Sequence, residues 1–409
     1  MGLKGGVSVV ALRDIREAQE ILKGVVHRTA LTYSSVLSEI SGGEIYLKME
    51  NLQKTGAFKI RGAYNKIAHL GEEERKKGVV AASAGNHAQG VALAAKIFGI
   101  PATIVMPRYA PLSKVTRTKK LGAQVILEGD VFDEAYEAAL RIQERTGAVF
   151  VHPFNDPHVI AGQGTIGLEI MEDLPDVDMI VVPVGGGGLI SGISIAVKSI
   201  NPNVRIVGVQ TENMPSMIAS LKRGRIEKIE GKPTLADGIA VKKPGEITFE
   251  IIKKYVDDMV MVNEEEIADA ILFLLEQAKV VAEGAGAVGV AALLNRLDVN
   301  GKKAVVVVSG GNIDVNMIDR IINKGLVKSG RKVFIETFVM DRPGALKELL
   351  GVVAELGANV LSVFHNRSAK DVPIGFAKIE LELETVDEKH VEEIERVLIA
   401  KGYEVRIGR

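Results

Sequence analysis

Two stretches of this chain alternate short, continuously apolar segments with segments of helical spacing. The predicted strands are Val79–Ala82, Ala102–Met106, Gln124–Leu127 and Ala148–Val151 in the first stretch, and Met179–Val184, Arg205–Val209, Met259–Val262 and Ala304–Val308 in the second. Strands that are apolar on both faces and are separated by helices belong to parallel sheets covered by helices. The sequence therefore predicts an α/β fold with two lobes and a cleft between them.

The pattern changes after a polar, glycine-containing segment at residues 323–331, which we interpret as a linker. Beyond it the order is strand, helix, strand, strand, helix, strand. The predicted strand Ala377–Glu384 alternates apolar and charged residues, as a strand with one buried face does. We predict two domains, residues 1–328, with a smaller lobe at roughly residues 50–150, and residues 329–409.

Composition excludes several classes of protein. The chain has 409 residues, with 51 Lys and Arg against 52 Asp and Glu, so nothing in its charge favours nucleic acid or an anionic membrane. It has no cysteine, which excludes disulfides and cysteine metal sites. The histidines show no ligand-like spacing, and we expect no metal. No apolar run reaches transmembrane length, so we expect a cytoplasmic protein.

Lys59 stands at the start of a predicted helix. It follows the turn signal Thr55-Gly56 and the aromatic Phe58, and the helical run ends near Leu70. The amide dipoles at a helix start present positive charge, which lowers the pKa of a lysine there. A neutral amine attacks carbonyl groups, so Lys59 is a candidate nucleophile. Read alone, such a lysine more often points into water.

Four consecutive glycines, Gly185, Gly186, Gly187 and Gly188, lie between a buried strand and a helix that begins near Leu189. Their backbone N–H groups can converge on an anion at the helix start, which predicts a phosphate cradle. A dinucleotide fingerprint would need glycine at 190 or 191, where the chain has Ile190 and Ser191. A P-loop is excluded because no Gly-Lys-Ser/Thr follows, which leaves a flexible turn as the alternative.

Two further stretches follow predicted strands. Ser83-Ala84-Gly85-Asn86-His87-Ala88-Gln89-Gly90 opens a helix, and its backbone N–H groups and the Asn86 amide can donate to a carboxylate or another acceptor. Read alone, this stretch is more often a helix cap. For His87 we favour a packed residue over a proton relay. Ser309-Gly310-Gly311-Asn312 lies at a strand's carboxyl end, where ligands gather in such sheets.

These four stretches, in this order, resemble the motifs of the fold-type-II enzymes that use pyridoxal 5'-phosphate, the tryptophan-synthase-β-like family. The resemblance covers about residues 10–323 and is greatest to threonine dehydratases. It implies that Lys59 holds the cofactor covalently beside Phe58, that Asn86 bonds its phenolic oxygen and that Ser309 faces its ring nitrogen. It implies that the phosphate lies on Gly185, Gly186, Gly187, Gly188 and Leu189, and that the substrate lies on Ser83, Ala84, Gly85, Asn86 and His87.

The resemblance also implies the reaction, with Lys59 and Ser309 as the catalytic residues. A serine cannot keep the ring nitrogen protonated as an aspartate does, which favours β-elimination over transamination. Related serine racemases place a serine where this chain has Ala84, and alanine cannot move a proton. The implied reaction is conversion of L-threonine to 2-oxobutanoate and ammonia, and of L-serine to pyruvate. The alternatives are a serine dehydratase or racemase, and an inactive protein of this fold that binds amino acids.

The C-terminal βαββαβ pattern resembles the ACT regulatory domain. That resemblance implies an amino-acid effector, isoleucine first and valine second, and a homo-oligomer, dimer or tetramer, because such modules bind ligands between two copies. The turn Asp341-Arg342-Pro343-Gly344-Ala345-Leu346 is the candidate effector site, since helix starts hold carboxylates. Asn359 either supplements this turn or ends the preceding helix.

Overall fold

Parallel strands form where the sequence is continuously apolar. The chain, described over residues 10–408 in a computed structural model, divides into a unit that ends at Ile313 and a unit from Asp314 onward. The strands of the first unit are β1 Leu31–Tyr33, β2 Glu44–Lys48, β3 Val79–Ala82, β4 Ala102–Met106, β5 Gln124–Leu127, β6 Val149–Phe150, β7 Met179–Pro183, β8 Arg205–Thr211, β9 Asp258–Val262 and β10 Lys303–Val307. The eight predicted strands of the two stretches thus correspond to β3–β10, with ends that differ by at most two residues.

Helices fill the intervals between these strands. They are α1 Leu12–Leu22, α2 Ser35–Ser41, α3 Lys59–Ala68, α4 Glu72–Lys77, α5 Asn86–Phe98, α6 Leu112–Lys120, α7 Phe132–Thr146, α8 Pro157–Asp173, α9 Gly188–Ile200, α10 Ser216–Arg223, α11 Glu246–Tyr255, α12 Glu264–Phe273 and α13 Gly284–Asn295. Short 3₁₀ turns occur at Glu50–Leu52 and Asp237–Ile239, and a π-helical turn at Leu274–Ala278 continues α12.

The first unit contains two sheets. One has the order β5-β4-β3-β6 and is parallel throughout. The other has the order β1-β2-β10-β7-β8-β9 and is parallel except for the edge pair β1–β2. This arrangement confirms the predicted two-lobed α/β fold. Because β2 pairs with β10, the segment after β2, which carries Lys59, lies beside the segment after β10, which carries Ser309.

The second unit is an antiparallel sheet covered by helices. Its elements are α14 Val315–Lys328, β11 Lys332–Met340, α15 Ala345–Glu355, β12 Asn359–Asn366, β13 Phe376–Glu384, α16 Glu388–Ala400 and β14 Val405–Gly408. The strand order is β12-β13-β11-β14. From β11 onward the order of elements is the predicted βαββαβ. The boundary predicted after Lys328 assigns α14 to the catalytic domain. In the structure α14 belongs to the same unit as the C-terminal sheet.

The structure excludes one of the two roles considered for Asn359 within a single chain. Gly344 and Asn359 lie at opposite ends of α15, an 11-residue helix about 16 Å long. Asn359 therefore cannot supplement the Gly344 turn of its own chain. Its side-chain amide instead donates to Glu384 across the sheet at 3.1 Å.

No helix within residues 10–408 has both the length and the apolar character needed to cross a membrane.

Candidate active site

The Lys59 and Ser309 segments are hydrogen-bonded to each other. Ala57 and Gly310 form an isolated antiparallel bridge, and the Phe58 N–H donates to the Ser309 carbonyl at 3.2 Å. Phe58 is buried in the core of the large lobe, which fixes the residue before Lys59. The first residue of α3 is thereby fixed at the carboxyl end of β10.

The Lys59 side chain is half-buried between the lobes. Its Nζ donates to the Pro153 carbonyl at 3.0 Å and lies 5.0 Å from the Phe58 ring centre. Burial lowers the pKa of Lys59 to about 8, and the charge of Glu283 opposes that shift. The direction is the one predicted from the helix start, but burial is the larger cause.

The glycine loop presents a row of backbone donors. Among residues 10–408, no partner accepts from the N–H groups of Gly185, Gly186, Gly187, Gly188 and Leu189. Gly187 has a φ of 97° and precedes α9, so these donors lie at the helix start, where the dipole favours an anion. The loop can therefore hold a phosphate.

Side chains from neighbouring segments shape this loop. Thr248 donates from Oγ1 to the Gly186 carbonyl at 2.6 Å. A Cβ on Gly186 would come within 2.4 Å of the Phe154 ring, and one on Gly187 within 2.8 Å of Thr248. Glycine is therefore required at both positions because the neighbouring side chains occupy the space of a Cβ.

The segment after β3 begins α5 and faces the same region. The Ser83 hydroxyl accepts from the Gly85 N–H at 3.1 Å, and Ala84 is half-buried. His87 is 3% exposed, and its Nε2 donates to the Val151 carbonyl at 2.8 Å. Burial, followed by the charge of Lys59, lowers the pKa of His87 to about 3, so the ring is neutral near pH 7.

Asn86 joins the two lobes. Its Nδ2 donates to Glu283 Oε1 at 2.5 Å, and its Oδ1 accepts from Asn312 Nδ2 at 2.8 Å. A Cβ on Gly310 would come within 2.2 Å of the Glu283 carboxylate, so glycine makes room for that contact. Burial first and Asp237 second raise the pKa of Glu283 to about 7. Asn86 keeps one amide hydrogen for another acceptor.

Ser309 is 4% exposed and donates to the Ala285 carbonyl at 3.3 Å. This is a long hydrogen bond for a hydroxyl, which can turn toward another acceptor at little cost.

The structure brings together the sequence-predicted residues and six others, Pro153, Phe154, Gln163, Thr248, Glu283 and Asn312. The segments that carry Pro153, Phe154 and Glu283 resemble stretches that line or support the cleft in the same family, with packing alone as the alternative. Asn312 lies inside a recognised motif, and Glu283 is an acid directly before a small-residue helix start. For Gln163 and Thr248 the sequence carries no local signal. Among residues 10–408, no group of three metal-ligating side chains is suited to hold a metal ion.

A lysine of lowered pKa, a row of free backbone N–H groups and a free amide hydrogen fit an aldehyde that carries a phosphate. The model for pyridoxal-phosphate dependent enzymes matches residues 22–311, and the model for the ACT domain matches residues 333–401. The chain belongs to the pyridoxal-phosphate dependent enzymes and uses that cofactor, with an ACT domain at its C-terminus.

Individual relatives agree with this assignment. An L-threonine ammonia-lyase of Thermotoga maritima is 87% identical over 399 residues, which covers 98% of this chain and 100% of the relative. A solved serine racemase of maize is 40% identical with a TM-score of 0.74, over 78% of this chain and 99% of that one. A solved threonine deaminase isoform of Solanum lycopersicum is 38% identical with a TM-score of 0.72, over 79% of this chain and 95% of that one.

Proposed function

We propose that this chain converts L-threonine to 2-oxobutanoate and ammonia, and L-serine to pyruvate and ammonia in the same way. The observation that carries the proposal is one amine of lowered pKa, Lys59, combined with alanine at position 84. Elimination needs one group that takes the Cα proton. Inversion at Cα needs a second acid/base group on the opposite face of the substrate. The L-threonine ammonia-lyase of Thermotoga maritima supports threonine as the substrate.

The glycine loop and two polar side chains hold the cofactor in this proposal. The backbone N–H groups of Gly185–Leu189 would hold the phosphate, the remaining amide hydrogen of Asn86 would bind the phenolic oxygen, and the Ser309 hydroxyl would face the ring nitrogen. Pyridoxal phosphate, when bound, supplies the electron sink that makes the Cα proton of an attached amino acid acidic.

Lys59 moves the protons of the reaction. As a free amine it takes the proton from the substrate Cα, and as an ammonium it gives a proton to the departing β-hydroxyl, which leaves as water. The Ser83 hydroxyl and the loop backbone at Gly85, Asn86 and His87 hold the substrate carboxylate. The enamine that is released takes up water and loses ammonia, so the water lost in the first step is used in the last.

A serine at position 309 favours one reaction of the cofactor, elimination, over another, transamination. A serine hydroxyl has no charge with which to keep the ring nitrogen protonated, so the ring withdraws electrons less strongly. The negative charge that develops at Cα is then best relieved by loss of the β-hydroxyl. This argument favours elimination over transamination.

The solved serine racemases of this fold make racemisation the second candidate. Position 84 argues against it, because an alanine cannot return a proton to Cα. An inactive amino-acid-binding protein is a third reading, and the lowered pKa of Lys59 argues against that one.

One experiment separates these functions. Purified protein is given L-threonine and L-serine in turn, 2-oxo acid and D-amino acid are measured together, and kcat/KM is compared. We expect 2-oxobutanoate from threonine at the higher kcat/KM and no more than trace D-serine. Dominant D-serine formation would establish the racemase, and no turnover of either substrate would contradict the enzymatic proposal.

We further propose that residues 1–328 form the catalytic domain and that residues 329–409 bind an amino-acid effector, isoleucine or valine. The enzyme would then be an allosteric, cytoplasmic enzyme of isoleucine biosynthesis. In the Gly344 turn, the N–H groups of Gly344, Leu346 and Lys347 have no partner among residues 10–408 and can hold a carboxylate. Gly344 has a φ of 90°, which only glycine adopts easily.

A homo-oligomer, dimer or tetramer, is part of this proposal. The outer face of the C-terminal sheet exposes four large apolar side chains, Phe334, Met340, Phe364 and Phe376. Met340 and Phe376 are direct cross-strand partners in the β11–β13 pair. Several exposed apolar side chains on one sheet face are typical of a contact surface, and a second copy of this sheet is the partner we expect.

A further inference from the structure

The side chain of Gln163 is completely buried in the first unit. It lies on α8 with 0% exposure, and neither Oε1 nor Nε2 has a hydrogen-bond partner among residues 10–408. A buried amide without partners lowers stability, and leucine has nearly the same size without that penalty. Packing alone therefore does not explain a glutamine at this position.

The side chain extends between two helix starts that belong to the site. A Cβ on Gly62, three residues after Lys59, would lie 3.1 Å from Gln163 Nε2. A Cβ on Gly188, the first residue of α9, would lie 2.7 Å from Gln163 Oε1. The amide is thus in contact with the glycine loop, whose N–H groups are themselves without partners. The two ends of a glutamine amide are interchangeable by a half-turn, so its NH₂ group can face the loop.

We propose that Gln163 is a positioning residue for the phosphate of the cofactor, to which its NH₂ group donates directly or through one water molecule. The bound phosphate then supplies the acceptor that the fold does not. This inference rests on the assignment of Gly185–Leu189 as the phosphate site in the proposed function. It predicts that the amide lowers the stability of the cofactor-free protein and strengthens binding of the phosphate.

The test compares two ligands, pyridoxal phosphate and pyridoxal, which differ only in the phosphate. Gln163→Leu is freed of cofactor and titrated with each, while its unfolding without cofactor is followed by heat. We expect unchanged or higher thermal stability, pyridoxal phosphate affinity weakened at least tenfold, and pyridoxal affinity within twofold of the original. Gln163→Glu should weaken pyridoxal phosphate further, because a carboxylate repels the phosphate.

Gln210 provides a matched control. It is equally buried, but its amide donates to the Val184 carbonyl at 3.2 Å and accepts from the Ile218 N–H at 2.9 Å. Gln210→Leu should lower the stability of the cofactor-free protein and leave the ratio of the two affinities unchanged.

Two results would overturn the proposal. One is equal weakening, or no weakening, of pyridoxal phosphate and pyridoxal by Gln163→Leu. The other is failure of both Gln163→Leu and the more adaptable Gln163→Met to fold without cofactor, because the amide would then be structurally required. Neither result depends on threonine turnover, so the proposed reaction is tested separately by 2-oxo acid formation in the unchanged protein.

Discussion

Asn86 donates to Glu283 across the two lobes at 2.5 Å, although the residues are 197 positions apart. Asn86 follows the small sheet, and Glu283 begins α13 beside the large one. Because Asn312 donates to the other end of the same amide, the amide is fixed in one orientation with one hydrogen left over. The residue proposed to bind the phenolic oxygen is thus positioned by a carboxylate whose raised pKa is about 7.

The first prediction concerns the stability cost of that carboxylate. The pKa of Glu283 is about 7 in the folded protein against 4.5 as its ordinary value. The unfolded chain therefore loses the proton first, so stability falls as pH rises from about 4.5 to about 7. Above pH 7 the full cost, about 3 kcal/mol, is present.

Glu283→Gln keeps an acceptor for Asn86 and removes the charge. Denaturant unfolding of the cofactor-free protein should show little difference at pH 4.5 and a variant about 3 kcal/mol more stable at pH 8. Glu39→Gln, at an exposed position, is the control and should show no such trend. A stability difference that does not change with pH would contradict the assignment.

The second prediction tests Lys59 itself. Lys59→Ala should lose the visible absorption of covalently held cofactor, and its elimination rate should fall by roughly 10²–10⁴-fold or more. Lys54→Ala, at an exposed lysine five residues earlier, should keep both. Turnover of threonine by Lys59→Ala near the original rate would remove Lys59 from the mechanism.

The sequence predicts two kinds of element. One is a short strand whose side chains are all buried, and the other is a longer helix whose buried side chains recur with the helical period. Strands β3, β4 and β5 occupy the predicted residues. The sequence pattern does not predict helix α8, because residues 159–171 are all buried and therefore show no helical period. Its start nevertheless carries a signal, since Asp156 caps the helix and Pro157 occupies its first position.

Local sequence patterns likewise identify only part of the active site. The glycine loop, Lys59 and Asn86 are recognisable because each lies in a local motif between a strand and a helix. Gln163, and the contact of Glu283 with Asn86, depend on burial and on partners distant in sequence, which a local pattern does not contain. The pKa of Lys59 shows this limit too, since its larger cause is burial by the assembled lobes.

The third prediction concerns the buried charges that anchor α3. Arg61, two residues after Lys59, contacts Glu50 at 2.7 Å and Glu169 at 2.6 Å, and Lys48 contacts Glu169 at 2.6 Å. Arg61 holds the pKa of Glu50 below its ordinary value although burial opposes this. Arg61→Met leaves two buried carboxylates and one lysine, so stability should fall by about 3–5 kcal/mol.

The control for this variant is Arg28→Met. Arg28 contacts Asp173 at 2.5 Å, but its side chain is 48% exposed. An exposed pair contributes less than about 1 kcal/mol, and denaturant unfolding at pH 7 should resolve the difference. Equal losses for the two variants would mean that the buried cluster does not stabilise the fold as a unit.

The fourth prediction concerns Ser309. Ser309→Asp places a carboxylate where it can keep the ring nitrogen of the cofactor protonated, which strengthens the electron sink. We expect slower elimination and more transamination, which leaves the amino group on the cofactor as pyridoxamine phosphate and is measured as that product together with 2-oxo acid in excess of ammonia. Ser309→Asn, which is close in size but uncharged, should show less of the side reaction. Identical product ratios in all three proteins would mean that this residue does not control the outcome.

The last prediction concerns the Gly344 turn of the ACT domain. The Arg342 guanidinium pairs with Glu348 at 2.8 Å, so the backbone N–H groups, and not a free arginine, are the donors offered to a carboxylate. We expect isoleucine, and more weakly valine, to bind the full chain and to shift threonine affinity by roughly 5- to 150-fold, as a typical allosteric coupling does. Gly344→Ala strains a left-handed position and should weaken effector binding, whereas Gly351→Ala, within α15 and with open space at its Cβ, should not. The measurement is calorimetric titration of both amino acids together with threonine kinetics in their presence. If neither amino acid binds the full chain and threonine kinetics do not respond, the domain serves assembly and not sensing.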